Sequence, residues 1–232
     1  MHALLVAAGN SRRMGFDKLL APLAGKPVLW HSIRAFGSCP EVQGISVVTR
    51  PELVAQVSDL AASAASGKPV AIVHGGAERH LSVWAGLERL GEGSDFVAVH
   101  DAARPLVSDR AIAGCLELAR LHGAASCAAP VSDTLKRADA KQFVCGGVDR
   151  TGVWGMQTPQ IFQTALLVRA YRVLLSAGGA VTDEVSAVEA LGVPVALFHN
   201  PDWNLKITYP ADAALAELML GGVGLLRRGG DQ

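Results

Sequence analysis

Short apolar runs alternate along this chain with longer stretches in which apolar residues return every three or four positions. Ala3–Ala8, Ile45–Thr49, Val70–His74, Phe96–His100 and Ser126–Val131 are brief, apolar and bounded by turn residues, as strands buried on both faces are. Between them, Val28–Phe36, Leu53–Ser63, Leu81–Leu90 and Asp109–Leu121 carry helical spacing, the last with Ser108 placed as its cap. Helical spacing returns at Ala165–Ala177 and Glu184–Leu191, followed by a strand at Val193–Phe198 and a helix from Pro210 to Leu220. Alternation of this kind predicts right-handed crossovers and an α/β fold with a doubly wound, mostly parallel sheet. Such sheets bind ligands at the carboxyl ends of their strands, which singles out Gly9–Lys18, Gly75–Arg79 and Asp101–Pro105.

The alternation breaks at Asp133–Gly155, a polar, Gly-containing stretch with β-prone pieces around Thr134–Lys136 and Gln142–Val148. It reads as a β-hairpin arm leaving the main sheet. A lone hairpin is marginal in water, so the arm is expected to pack against a second copy of the chain. The Gly-rich tail Gly221–Gln232 is expected to fray. With no internal repeat and no interdomain linker, residues 1–232 are expected to form a single domain.

Composition narrows the function. Half of the residues are hydrophobic and 5% aromatic, which predicts an aliphatic core of Ala, Val and Leu. The 21 basic and 21 acidic side chains cancel, which argues against a nucleic-acid partner or a membrane surface. A few clustered cations can still serve an anionic small molecule. The four cysteines form no C-x-x-C pair, so reduced thiols are expected rather than disulfides or zinc. Ala3–Ala8 is too short to span a bilayer and lacks the layout of a signal peptide, which points to the cytoplasm.

The candidate chemistry follows the strands. Ala7, Ala8 and Gly9 lead into Asn10-Ser11-Arg12-Arg13-Met14-Gly15, with Lys18 beyond. Backbone N–H groups after Gly9 could form a nest for phosphate oxygens, and the loop carries up to three cations. It matches neither the P-loop nor the dinucleotide fingerprint, and its bland alternative is a surface turn. Gly75 and Gly76, then Ser82, follow the third strand, either to admit a base or to make a tight turn. His100-Asp101-Ala102-Ala103-Arg104-Pro105 follows the fourth. Asp101 is placed either to hold hydrated Mg²⁺ against phosphate or to cap a turn. Thr134, Arg150 and Lys206 are residue types that grip a phosphate monoester, although each has an ordinary surface role too. Thr182-Asp183-Glu184 reads most simply as a helix start.

Taken in order, these segments with Asp133-Thr134-Leu135-Lys136, Asp149-Arg150, Thr158-Pro159-Gln160, Thr182-Asp183-Glu184-Val185-Ser186 and Asn204-Leu205-Lys206-Ile207-Thr208 resemble the 2-C-methyl-D-erythritol 4-phosphate cytidylyltransferase family. The resemblance runs from Leu5 to about Leu220, and His-Asp-Ala-Ala-Arg-Pro with the later Thr-Pro-Gln and Thr-Asp-Glu is its specific part. It implies a Rossmann-like fold of the nucleotide-diphospho-sugar transferase type and a homodimer interlocked through the arm. It implies CTP as co-substrate, Mg²⁺ as divalent cation, and release of pyrophosphate. By resemblance, Arg13 and Lys18 stabilise charge on the α-phosphate and the leaving group. Ala7, Ala8, Gly9, Gly75, Gly76 and Ser82 surround CTP, Asp101 lies near the metal, and Asp101, Arg104, Thr134, Arg150 and Lys206 bind the polyol phosphate. Thr134 and Arg150 are expected in the neighbouring subunit's site.

The chain departs from the family at Ser11, where a second loop glycine is usual, and in a shortened segment between Arg13 and Lys18. Asp17-Lys18-Leu19 replaces the usual Pro-Lys-Gln and is similar to the variant in molybdenum-cofactor nucleotidyltransferases. Two rivals remain: a ribitol 5-phosphate cytidylyltransferase, which tends towards a bulkier residue at Ala103, and a non-catalytic nucleotide-binding subunit on the same fold.

Overall fold

The computed structural model describes residues 1–9, 15–90 and 93–226. In chain order they form β1 (His2–Val6), β2 (Pro22–Leu23), β3 (Lys26–Pro27), α1 (Val28–Ser38), β4 (Gly44–Thr49), α2 (Val54–Ala64), β5 (Val70–His74), α3 (Arg79–Leu90) and β6 (Phe96–Asp101). There follow α4 (Asp109–His122), β7 (Ala124–Pro130), β8 (Lys136–Ala138), β9 (Val144–Gly147), β10 (Trp154–Gln163), α5 (Thr164–Ser176), α6 (Glu184–Glu189), β11 (Ala196–His199) and α7 (Pro210–Leu226).

Seven strands make the main sheet in the order β11-β7-β10-β6-β1-β4-β5. β1 pairs in parallel with both β4 and β6. The chain winds outward from β1 to β5 and then returns to β6 on the other side of β1. The strand order therefore reverses between β1 and β6, which opens a crevice beyond their carboxyl ends.

Side chains alternate across the sheet and build two cores. Ala3 and Leu5 face a cluster with Ile33 and Phe36 of α1, Val57 of α2 and Ile112 of α4. Leu4 faces the other, with Val83 and Leu87 of α3 and Leu167 and Tyr171 of α5. The core is mainly aliphatic as the composition predicts, but Tyr171, Phe36 and Phe162 are among its largest fully buried side chains. Cys39, Cys115 and Cys127 are buried free thiols and Cys145 is an exposed one.

Most predicted elements stand within two or three residues of their expected bounds, and Ser108 caps α4 by accepting a hydrogen bond from the Ala111 N–H at 3.1 Å. Three differences matter. β10 is an antiparallel strand of ten residues wedged between β6 and β7, where no strand is expected from the sequence. Thr158, Pro159 and Gln160 disguise it, because a proline cannot donate to a ladder and argues against a central strand. The ladder with β7 accommodates Pro159 by a register shift between Met156 and Gln160. Second, the last strand begins at Ala196 rather than Val193. Third, α7 continues past Leu220 to Leu226, since each glycine there weakens a helix by only ~1 kcal/mol relative to Ala, while residues 227–232 of the expected frayed tail lie outside the described residues. The arm is present: β8 and β9 pair antiparallel as a separate two-stranded sheet. Among the described residues no helix is long and apolar enough to cross a membrane.

Candidate active site

The β1/β6 crevice holds a cleft of about 200 Å³ lined by Ala8, Gly9, Lys18, Gly76, Ser82, Asp101, Arg79 and Lys206 among others. Backbone geometry brings them together. The Ala7 N–H donates to the Val48 carbonyl at 2.7 Å and the Ala102 N–H to Val6 at 3.1 Å, so the segments leaving β1 and β6 stay in register with their neighbours. The Ile207 N–H donates to the Ala103 carbonyl at 2.9 Å, which brings the segment carrying Lys206 beside the end of β6.

Asp101 is the electrostatic centre. Its Oδ1 accepts from Arg79 Nε at 3.2 Å and Nη2 at 3.1 Å, and its Oδ2 accepts from Lys206 Nζ at 2.7 Å. Arg104 Nε stands 3.9 Å from Oδ2. Burial alone would raise the Asp101 pKa, but Arg79, then Lys206, then Arg104 outweigh it and hold the carboxyl well below its ordinary range.

Arg79 is held in turn by Glu184, whose side chain is 0% exposed, at 2.7 and 3.1 Å. Tyr171 Oη donates to the same carboxylate at 3.0 Å. Gln160 Oε1 accepts from the N–H groups of Glu184 and Val185 at 3.1 and 3.2 Å, so β10 fixes the start of α6. Burial would lower the Arg79 pKa, but Glu184 and Asp101 more than reverse it.

Behind Asp101 the fit is exact in hydrogen-bond terms. His100 Nε2 lies 3.1 Å from the Arg104 carbonyl, which only accepts, so Nε2 carries the proton. Nδ1 then accepts from Thr158 Oγ1 at 3.0 Å, and that oxygen accepts from the Asp101 N–H at 3.1 Å. Burial lowers the His100 pKa to about 4, keeping the ring neutral near pH 7.

Seven expected residues thus line one cleft: Ala8, Gly9, Lys18, Gly76, Ser82, Asp101 and Lys206. Lys18 Nζ donates to the Ile207 carbonyl at 2.7 Å, tying the first loop to the Lys206 segment. Ser82 Oγ accepts from the Gly76 N–H at 3.1 Å and donates to the Glu78 carbonyl at 3.0 Å, shaping the entry to α3. Ala7 and Gly75 stand outside the lining. A Cβ on Gly75 would come within 2.4 Å of the Ala8 Cβ, so this glycine serves close packing of two strand ends. Arg104 is turned inward, donating to the Asn204 carbonyl at 2.7 Å. Thr134 and Arg150 are exposed on the arm and do not line this chain's cleft; Arg150 instead donates to the Ser132 carbonyl. Arg13 lies outside the described residues.

Arg79 and Glu184 are absent from the expected set of site residues. Arg79 stands in the singled-out segment after β5, but Glu184 carries only a helix-start signal, and Asp183 does cap α6 by accepting from the Ser186 N–H at 3.1 Å. Their 105-residue separation hides the pair from any local reading. A metal also finds less here than the sequence promises. Both oxygens of Asp101 are engaged by cations, and among the described residues no group of three His, Cys, Asp or Glu could hold an ion. The donor set fits a Mg²⁺ bound chiefly by phosphate oxygens, with Asp101 and Glu78 the carboxylates that line the cleft among the described residues.

A family model described as 2-C-methyl-D-erythritol 4-phosphate cytidylyltransferase matches residues 1–222. Proteins of that name from Symbiobacterium thermophilum and Ralstonia nicotianae are 42% and 43% identical, over 94% and 95% of this chain and 91% of each relative. The solved structure of 4-diphosphocytidyl-2C-methyl-D-erythritol synthase from Anaerococcus prevotii aligns with a TM-score of 0.83 at 27% identity, over 95% of both chains. That of 2-C-methyl-D-erythritol 4-phosphate cytidylyltransferase from Thermus thermophilus gives 0.77 at 32% identity, over 94% of this chain and 98% of that one. With a switch-point cleft ringed by cations and these matches along its length, this chain belongs to the 2-C-methyl-D-erythritol 4-phosphate cytidylyltransferase family.

Proposed function

We propose that this chain, acting as one catalytic domain, joins CTP to 2-C-methyl-D-erythritol 4-phosphate and releases pyrophosphate, a step of non-mevalonate isoprenoid biosynthesis. The observation that carries this reading is the meeting of Lys18, Lys206 and Arg79 with Asp101 at the β1/β6 switch point. A phosphate oxygen of the polyol phosphate attacks the α-phosphorus of CTP in line; the new P–O bond forms as the bond to the β-phosphate oxygen breaks. Both reactants are anions, so the barrier is dominated by bringing negative charges together. Fixed cations lower it by positioning and electrostatic stabilisation, and no covalent intermediate is needed.

In this reading Arg13 and Lys18 receive the triphosphate, and Lys206 with Arg150 and Thr134 receives the polyol phosphate. Ala7, Ala8, Gly9, Gly75, Gly76 and Ser82 shape the nucleoside side. Arg104 anchors the Asn204 carbonyl, which supports the Lys206 segment. Asp101 would hold Mg²⁺, which supplies further neutralisation of phosphate charge. Asp101→Asn should then raise the magnesium concentration needed for half-maximal rate; an unchanged titration would leave Asp101 an ion-pair residue only. The protein is proposed to be cytoplasmic and a homodimer. Phe143 and Val144, exposed by 69% and 68% at the arm, are the apolar surface that a second subunit would cover.

Pyrophosphate release measured across four nucleoside triphosphates and several polyol phosphates tests the proposal. Turnover confined to CTP with methylerythritol phosphate is expected. Preference for ribitol 5-phosphate would overturn the substrate, and no release with any pair would overturn catalysis.

A further inference from the structure

A second concavity lies away from the cleft. It is a groove of about 940 Å³ between α3 and α5, lined by Trp84, Leu87, Thr164, Val168, Arg169 and Arg172 among others. Phe96 also lines it, at the opposite end of β6 from Asp101, and six residues of strand put roughly 16 Å between those ends. Its volume lies within the range of small-molecule sites.

Three features point to a ligand. Thr164 Oγ1 is buried in a residue only 5% exposed and has no hydrogen-bond partner among the described residues, a cost usually relieved by some acceptor or donor. Arg169 and Arg172 stand three apart on α5 and so share a face, and among the described residues neither has an ion-pair or hydrogen-bond partner. Two like charges at this spacing repel until an anion bridges them. Trp84 supplies the apolar wall between, with its ring fixed by stacking on Tyr171 at 6.3 Å between centroids and 10° between planes. Thr164 and Arg172 are eight residues apart, roughly 12 Å along a helix, which suits a molecule with a polar group at each end.

We propose that this groove binds a small organic phosphate with an apolar body. The dianionic head bridges Arg169 and Arg172, because paired guanidinium forks match phosphate geometry. The body lies against Trp84, Leu87 and Val168, and a hydrogen-bonding group at its far end meets Thr164 Oγ1. Asp95 also lines the groove, and its carbonyl accepts from the Thr164 N–H at 2.9 Å, so its carboxylate turns the head away from the Thr164 end.

Phenyl phosphate is the probe of the head and the body; 4-hydroxyphenyl phosphate adds the far hydrogen-bonding group and should bind more tightly, and equal affinity of the two would overturn the Thr164 contact. Each titration is followed through the indole N–H resonance of Trp84 in the ¹⁵N-labelled protein, assigned by Trp84→Phe. Saturable movement of that resonance is expected. Benzyl alcohol, inorganic phosphate and benzoate, which lack the charge, the body and the second charge respectively, should each bind at least tenfold more weakly. Arg169→Ala with Arg172→Ala removes only exposed side chains and should weaken phenyl phosphate at least tenfold without altering the fold. A Trp84 resonance that does not move, or that titrates identically in the double variant, would overturn the proposal, as would benzoate binding as tightly as phenyl phosphate.

Discussion

Burial and charge pull Asp101 in opposite directions, and the charges win. Desolvation would raise its pKa, but Arg79, Lys206 and Arg104 hold it far below its ordinary value of 3.8. A carboxyl whose folded pKa is depressed stabilises the fold above its unfolded pKa and loses that contribution as pH falls towards the folded value. Urea midpoints should therefore decline as pH drops below about 4, and Asp101→Asn should flatten that part of the decline. An acid limb of equal depth in the variant would mean that other carboxyls carry it. Glu184 makes a sharper demand. Glu184→Gln keeps the shape and the Tyr171 contact but leaves Arg79 with Asp101 as its remaining carboxylate partner. Leaving a buried charge uncompensated costs about 3–5 kcal/mol, and the 27% exposure of the Arg79 side chain together with its surviving pair to Asp101 moderates this to up to about 2 kcal/mol. The measurement is the urea midpoint at constant m-value; a loss under about 0.5 kcal/mol would show that Arg79 escapes to solvent.

Elements meet here through small residues as much as large ones. α3 lies against the sheet at Gly86, where an added Cβ would come within 2.1 Å of Leu4 Cδ1 and 3.1 Å of Val48 Cγ2. Gly86→Ala should therefore cost about 1–3 kcal/mol by overpacking, despite the better helix propensity of alanine. Stabilisation on thermal unfolding would show that Leu4 can swing aside at no cost. β10 shows how an element escapes a local reading. Its inner half reads as a loop because Thr158, Pro159 and Gln160 look like turn residues. In the fold those polar groups face partners rather than solvent: Thr158 bonds His100 and Asp101, and Gln160 bonds the start of α6.

The arm would tie the single chain to the proposed homodimer. Its residues from Ser132 to Cys145 are almost all exposed, and Arg150 and Thr134 stand on it rather than at the cleft. A closed symmetric pair would bring each arm to the other subunit's cleft. Arg13→Ala alone should lower turnover by about a hundredfold or more, the scale of losing one transition-state charge contact. Mixed and reassociated with Arg150→Ala, it should recover activity to at most about half per mixed dimer, because one site would carry both lesions and the other neither. The rate after verified subunit exchange is the measurement, and no recovery would leave Arg150 working within its own chain.

Much of this protein could be read before it folded. Period and turn residues located every parallel strand, the last of which starts three residues late, and they located the helices, because burial of an apolar face depends on spacing along a single segment. Loops at the carboxyl ends of β1 and β6 follow from that alternation, so Ala8, Gly9, Lys18 and Asp101 could be named as a site from order alone. What could not be read depends on residues far apart in the chain. Which cation faces which carboxylate is a matter of distance in space: Arg79 meets Glu184 and Lys206 meets Asp101 across 105 residues each. The antiparallel place of β10 and the inward turn of Arg104 have the same origin. Polar side chains satisfy buried partners that no local spacing predicts, and only the packed fold brings those partners within hydrogen-bond reach.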